Sequence, residues 1–181
     1  MNKQSLVELI RRKQSFLCVG LDTDPAQLPG HLGRDMEAVY LFNRSIIETT
    51  LPYTVSYKLN IAFYEAMGTA GWDVLKRTID LIPRSEALII ADAKRGDIGN
   101  TAAQYGKAFF ETLECDAITV NPYMGEDSVT PFLAYKDKWS IVLGLTSNKG
   151  ADDVELLQLK DGRFVYEAVI EKIAQLGTDE N

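Results

Sequence analysis

Several functions are excluded by what this sequence lacks. It has one histidine, His31, and two cysteines, Cys18 and Cys115. A multi-histidine metal site is therefore ruled out, and a histidine-based catalytic triad finds no support. His31 lies in the loop LPGHLG and reads as a surface residue. Each cysteine sits in a mainly apolar run, FLCVGL or LECDAITV, and both read as buried thiols of a reducing compartment, not as a disulfide. Positive charge is scarce and scattered, with a formal net charge of -7, so nothing supplies the stripe that nucleic acid or an anionic membrane needs. Long apolar runs are absent too, and charges interrupt the N-terminal MNKQSLVELIRRKQ where a signal peptide needs an unbroken core. The expected location is cytoplasmic. No low-complexity segment or Pro/Gly/Ser-rich linker divides residues 1–181, which read as a single domain.

What is present is a chain of 181 residues, 46% of them hydrophobic, enough for one sizeable core. Short β-branched segments recur at 16–21 (FLCVGL), 54–59 (TVSYKL), 87–92 (ALIIAD), 117–121 (AITVN) and 140–145 (SIVLGL). Their near-continuous hydrophobicity is that of strands covered on both faces. Helical patterns lie between them. MEAVYLFNRSIIETTL places Val39, Phe42 and Ile46 on one face, and AFYEAMGTAGWDVLKRTIDLI does the same with Phe63, Met67, Val74 and Leu75. Thr101 with Gln104, and Ser5 with Glu8, fit capping boxes at two helix starts.

Strand and helix thus alternate five times, which implies a parallel sheet with right-handed crossovers. A doubly wound open sheet and a closed barrel both satisfy that order. Every predicted strand ends in polar residues: Asp22 to Asp24, Lys58 and Asn60, Asp92 and Lys94, Asn121, and Thr146 to Asn148. An open sheet needs polar ends only at its switch point, whereas a barrel brings all strand ends to one mouth. The expected fold is therefore an α/β barrel of the (β/α)8 TIM type. Strand starts near 16 and 140 are four units apart, about 31 residues each, and eight such units need roughly 250 residues. This chain is expected to supply the first five, ending in a helix over RFVYEAVIEKIAQLGTDEN that runs into Gly177.

The third strand runs straight into charge: IIADAKRGDIGNTA, residues 89–102. Side chains two apart on a strand share a face, so Asp92 and Lys94 both point to the mouth while Ala93 points away. Gly96 lets the backbone turn, and Asp97 then folds back over the same space or reaches a neighbouring subunit. Lys58, ending the preceding strand, extends this Asp-Lys-Asp array. Unpaired buried charge is costly, so such an array at strand spacing points to a site more than to a solvated loop. A lysine held between carboxylates stays an ammonium and a proton donor suited to quenching a carbanion. Asp92 beside a bound anionic group would create like-charge stress, relieved when that group leaves as carbon dioxide. Decarboxylation and enolate chemistry are both compatible with this. Asp22 and Asp24 also form an Asp-x-Asp pair of the kind that can bind a metal, without histidine support. Thr101 as a helix cap, Ser147 as a turn residue and Arg95 as a surface or dimer contact are the plainer readings of those positions.

At these residues the sequence resembles the orotidine 5'-phosphate decarboxylase family in its longer bacterial form. The resemblance runs through GLDTDP (20–25), SYKLNIAFYEA (56–66), DAKRGDIGNTA (92–102), VNPYMGEDS (120–128) and GLTSNKGADD (144–153). The third block is the specific one, because Asp-x-Lys-x-x-Asp followed by Ile98 and Thr101 is the family's catalytic signature. It implies decarboxylation of orotidine monophosphate to uridine monophosphate, without cofactor or metal, in a homodimeric barrel. Lys94 would give its proton to C6 of the pyrimidine, and Asp92 would lie against the reacting carboxylate. Asp97 would enter the partner subunit's site, with Ile98 and Thr101 nearby. Asp22 and Lys58 would bind ribose hydroxyls, Ser147 would hydrogen-bond the pyrimidine, and Asn121 would be a strand-end contact.

The family grips the substrate phosphate from loops after the last two barrel strands, and no residue here matches those. Weak or absent turnover by these 181 residues alone is therefore expected. Two rivals share features of this reading. One is a magnesium-dependent phosphosugar enzyme with the same Asp-x-Lys-x-x-Asp core, a 3-keto-gulonate phosphate decarboxylase or hexulose phosphate synthase. The other is a non-catalytic nucleotide-binding or dimerisation module.

Overall fold

Each of the five apolar segments becomes a strand in the computed structural model, which describes residues 1–177. They are β1 (Leu17–Gly20), β2 (Thr54–Asn60), β3 (Leu88–Arg95), β4 (Ala117–Val120) and β5 (Trp139–Val142), joined through helices α1 (Lys3–Lys13), α2 (Met36–Thr50), α3 (Ile61–Ala66), α4 (Gly68–Asp80), α5 (Gly99–Gly106), α6 (Thr130–Leu133) and α7 (Val165–Ala174). All pairings are parallel. The order across the sheet is β1-β2-β3-β4-β5. Among the described residues no reversal of strand order occurs, so the sheet follows barrel order and not the doubly wound alternative.

The two faces of the sheet differ. Tyr57, Leu59, Ile89, Ala91, Ile118 and Val120 are buried in one cluster with Val39 and Ile47 of α2, Val74, Leu75 and Ile79 of α4, and Phe109 and Phe110 beyond α5. The Tyr57 hydroxyl shows the direction: it donates to the Ile47 carbonyl on α2 at 3.2 Å. Lys58, one residue on, points to the opposite, concave face, where it meets Asp92. Period-two alternation thus sends one residue to the helices and the next to the mouth.

Cys18 departs from expectation. Cys115 is buried, and burial pushes its thiol up to about 12, but Cys18 is exposed. β1 is an edge of the sheet, and Cys18, in register with Ser56, shares the open concave face with Lys58. Neighbouring Phe16 is 86% exposed, and Ile141 on the other edge strand is also exposed.

Helix starts and one helix interior also differ. α1 begins at Lys3, capped by Asn2, whose side chain accepts from the Ser5 amide; α5 begins at Gly99 after Ile98. Neither Ser5 nor Thr101 is therefore a cap, because the chain turns helical two or more residues earlier. The long pattern over 62–82 breaks into α3 and α4 at Gly68, whose φ of 66° a side chain would resist. Gly71 then lets α4 approach α3 closely: a Cβ there would lie 2.0 Å from the Tyr64 carbonyl oxygen. Val74 and Leu75 are buried as expected, whereas Phe63 and Met67 pack at its margin. On α2 the buried line runs through Val39, Asn43 and Ile47, with Phe42 and Ile46 flanking it. His31 is exposed in a short turn of helix. The last four residues of the expected C-terminal segment, 178–181, lie outside the described residues.

Candidate active site

The C-terminal ends of β1, β2, β3 and β4 bring one charge array together. Lys58 lies between two acids: its Nζ donates to Asp92 Oδ2 at 3.1 Å and stands 3.6 Å from Asp22 Oδ1. Lys94 Nζ donates to the other oxygen, Asp92 Oδ1, at 2.5 Å. Thr119 Oγ1, from β4, donates to that same oxygen at 3.0 Å. Asp92 is thus an acceptor for three groups from three strands. Burial pushes its carboxyl up, but the hydrogen bonds from Lys94, Lys58 and Thr119 outweigh burial and hold it below the usual carboxylate range. For Lys58, burial pulls down, yet the bond to Asp92 and the charges of Asp22 and Asp92 raise it overall.

This differs from an Asp-Lys-Asp array centred on Lys94. The lysine between two acids is Lys58; among the described residues Lys94 has one carboxylate partner, Asp92. Asp97 does not fold back: its Oδ1 accepts from the adjacent Ile98 amide at 2.8 Å, and among the described residues no cation lies within ion-pair distance of it. The array is Asp22, Lys58, Asp92, Lys94. Its outer member is the most open, because the Lys94 side chain is 52% exposed and that of Asp92 only 10%.

The backbone explains how Lys94 is aimed. β3 and β4 are in register at Ala91 and Ile118, and again at Arg95 and Val120. Asp92, Ala93 and Lys94 therefore stand opposite the single residue Thr119, a bulge of the kind that redirects side chains near sites. Within it Lys94 has a φ of 47°, left-handed for a residue with a side chain, a conformation that costs about 1–3 kcal/mol. Gly96, expected to provide the turn, has no left-handed φ; its missing side chain makes room for Asn121, 3.1 Å from where a Cβ would be. Arg95, past the bulge, turns to the helix side. It pairs with Glu65 of α3 and lies over Tyr105 and Phe109, at 5.2 and 5.5 Å, so it is an internal brace and not a surface contact.

Asp22 is held by its neighbours. The Leu21 amide donates to the Lys58 carbonyl at 2.9 Å, and the Leu21 carbonyl accepts from the Tyr64 hydroxyl at 2.9 Å. Thr23 donates to Asn43 Oδ1, and Asn43 donates to Tyr64 and Thr78. Asn43, Tyr64 and Thr78 are fully buried, and burial drives the Tyr64 hydroxyl strongly up. This network is not among the expectations from sequence; the signal that could have found it is a polar position inside an apolar helix face, Asn43 between Val39 and Ile47.

The remaining sequence candidates lie on the rim loops. Asn121 is exposed, and its Oδ1 accepts from the Tyr123 amide at 2.9 Å. Ile98 and Thr101 are exposed around the start of α5, and Ser147 is exposed in the loop after β5. Glu155 fixes that loop by accepting from the Thr146 amide at 2.7 Å and its hydroxyl at 2.8 Å. Asp24 accepts from the Ala26 amide at a short helical turn, and among the described residues no three His, Cys, Asp or Glu side chains converge as a metal cluster.

Residues 15–180 match the sequence profile described as the orotidine 5'-phosphate decarboxylase / HUMPS family. The orotidine 5'-phosphate decarboxylase of Phocaeicola vulgatus is 52% identical over 183 aligned positions, covering all of this chain and 67% of the relative. That of Bacteroides fragilis is 52% identical over 99% of the chain and 66% of its own length. Among solved structures, Leishmania donovani OMP decarboxylase superposes with a TM-score of 0.86 at 39% identity, covering 97% of this chain and 66% of that one. The UMP synthase of the same organism gives 0.83 at 41%, over 94% of this chain and 36% of its own. The chain therefore spans about two thirds of the length of the curated relatives it matches.

Proposed function

The chain belongs to the orotidine 5'-phosphate decarboxylase / HUMPS family, and from that premise we propose that it carries the reacting site of a decarboxylase converting orotidine 5'-phosphate to uridine 5'-phosphate. The observation that carries this reading is the Lys94 ammonium on Asp92 at the end of β3, beside the Lys58–Asp22 pair. In the reaction the bond from C6 to the carboxylate breaks, carbon dioxide leaves, and the electron pair left on C6 takes a proton from Lys94 Nζ. Water then reprotonates the lysine. A fixed ammonium acts on the carbanion-like transition state more than on the ground state, which is what raises the rate. Asp92 lies against the substrate carboxylate and keeps Lys94 in place.

Asp22 and Lys58 bind ribose hydroxyls, Ser147 hydrogen-bonds the pyrimidine, and Asn121 contributes at the rim. Asp97, turned away from Lys94 in a single chain, serves the neighbouring site of a homodimer together with Ile98 and Thr101. The Lys58 ammonium stands between Asp22 and Asp92, which supports the metal-free reading over the magnesium-dependent rival. The test is the complete protein with orotidine 5'-phosphate, following loss of pyrimidine absorbance with and without a chelator. Chelator-resistant turnover supports the proposal. No turnover of this substrate, with chelator-sensitive turnover of a 3-keto sugar phosphate, would replace it with the phosphosugar reading.

A further inference from the structure

The bulge in β3 leaves the Lys94 amide without a ladder partner on β4. It donates instead to the Thr119 hydroxyl oxygen, at 2.8 Å. The same hydroxyl donates its proton to Asp92 Oδ1 at 3.0 Å, and Lys94 Nζ returns to that oxygen at 2.5 Å. These three bonds close a ring from the Lys94 backbone through Thr119 and Asp92 to the Lys94 ammonium. The polarity is unambiguous: an amide only donates, a carboxylate only accepts, and the hydroxyl has a single proton. Thr119 is 7% exposed, so water does not readily replace either bond.

From this geometry we infer that Thr119 is a positioning residue for decarboxylation, holding the left-handed backbone of Lys94 and the Asp92 carboxylate in one arrangement. This rests on the function proposed above. Thr119 acts through the two residues that it holds, Lys94 by its amide and Asp92 by its carboxylate. Its hydroxyl replaces the missing backbone acceptor at the bulge, and without it both the Lys94 amide and one lone pair of Asp92 lose their partner. Small displacements of a catalytic group cost about 10²-fold in rate, and a hydroxyl that fixes both residues at once is the element that prevents them.

The experiment compares Thr119→Val, Thr119→Ala and Thr119→Ser in the complete protein. Two readouts are taken: steady-state kinetics and the Asp92 carboxyl titration by carbon NMR, its resonance assigned with Asp92→Asn. For Val and Ala, kcat should fall about 10²-fold with KM little changed, and the Asp92 midpoint should move up. Thr119→Ser, which keeps the hydroxyl, should recover most of both. An Asp92 titration unmoved in a folded Val or Ala variant would overturn the inference, as would a serine variant as impaired as alanine. If Val does not fold, Ala decides. If the wild type decarboxylates nothing, the function proposed above fails, and the Asp92 titration alone still tests the role of Thr119.

Discussion

At the N-terminal end of the strands, Lys13 donates to the carbonyls of Leu51, Thr54 and Glu86, at 2.7, 2.8 and 2.7 Å. At the opposite end, Lys94 has one acceptor, Asp92. Both are lysines packed against the same sheet, yet the Lys13 side chain is 6% exposed and that of Lys94 is 52% exposed. Three protons on three carbonyls satisfy the Lys13 ammonium completely, and they tie α1 to the turn before β2 and the turn before β3. Asp116 does similar work before β4, accepting from the Ile89 amide at 2.9 Å and the Met1 amino group at 2.7 Å. Within the single chain the Lys94 ammonium keeps capacity in reserve, held on a backbone conformation that needs support. The lesson is that saturated charge secures a barrel floor, whereas an under-coordinated charge held on strained backbone can act on something else.

The comparison can be broken most sharply at Asp92. Asp92→Asn leaves Lys58 and Lys94 facing each other without their shared anion, and turnover by the complete protein should fall about 10³-fold. Steady-state kinetics check this, and a loss smaller than tenfold would mean that the acid is not organising the lysines. Next in size is Lys13→Met, which strands three carbonyls. It should destabilise by about 2–4 kcal/mol and lower the melting temperature by roughly 5–15 °C, while turnover well below the melt stays near wild type. An unchanged melt would place Lys13 among incidental contacts.

The smallest effect, and the one that sharpens the contrast, lies in the titrations. Lys58 has acidic partners and is raised above 10.5 overall; Lys13 is buried against neutral carbonyls and is lowered below 10.5 despite Glu86. The Lys58 contribution to stability is complete below pH 10.5 and is lost as pH rises through its folded value. For Lys13 the sign reverses: the unfolded chain binds that proton more tightly, so its contribution improves with rising pH just below 10.5. On the acid side, Asp92 stabilises fully above about pH 4, and that contribution fades as pH falls through its lowered value. Nitrogen NMR of the two lysines checks the pair directly. Equal midpoints would erase the distinction.

Much of this was legible in the chain. Each of the five strands overlaps a segment that its hydrophobicity marks, although β3 runs three residues past its segment to Arg95 and β5 starts one residue early at Trp139, and the polar strand ends already argue for a barrel order over a doubly wound one. Asp92, Lys94 and Lys58 declare themselves through strand spacing. Thr119 did not, because in AITVN a threonine reads as a β-branched strand former, and its part depends on a bulge that no periodicity reports. Lys13 was hidden among the charges of LIRRKQ, since only the folded chain brings residues 51, 54 and 86 to it. The exposure of Cys18 follows from β1 lying at an edge of the five-stranded sheet, in a chain that spans about two thirds of its relatives' length. Caps slipped for a similar reason: Asn2 and Ile98 precede the helices because of backbone angles that composition does not set.

The Lys94 ammonium is tested most directly by the turnover of orotidine 5'-phosphate by the complete protein carrying Lys94→Ala, taken beside its thermal melt. The expected rate is lower by at least about 10⁴-fold, with a melt shifted by no more than a degree or two. A folded Lys94→Ala protein that works within tenfold of wild type would contradict it.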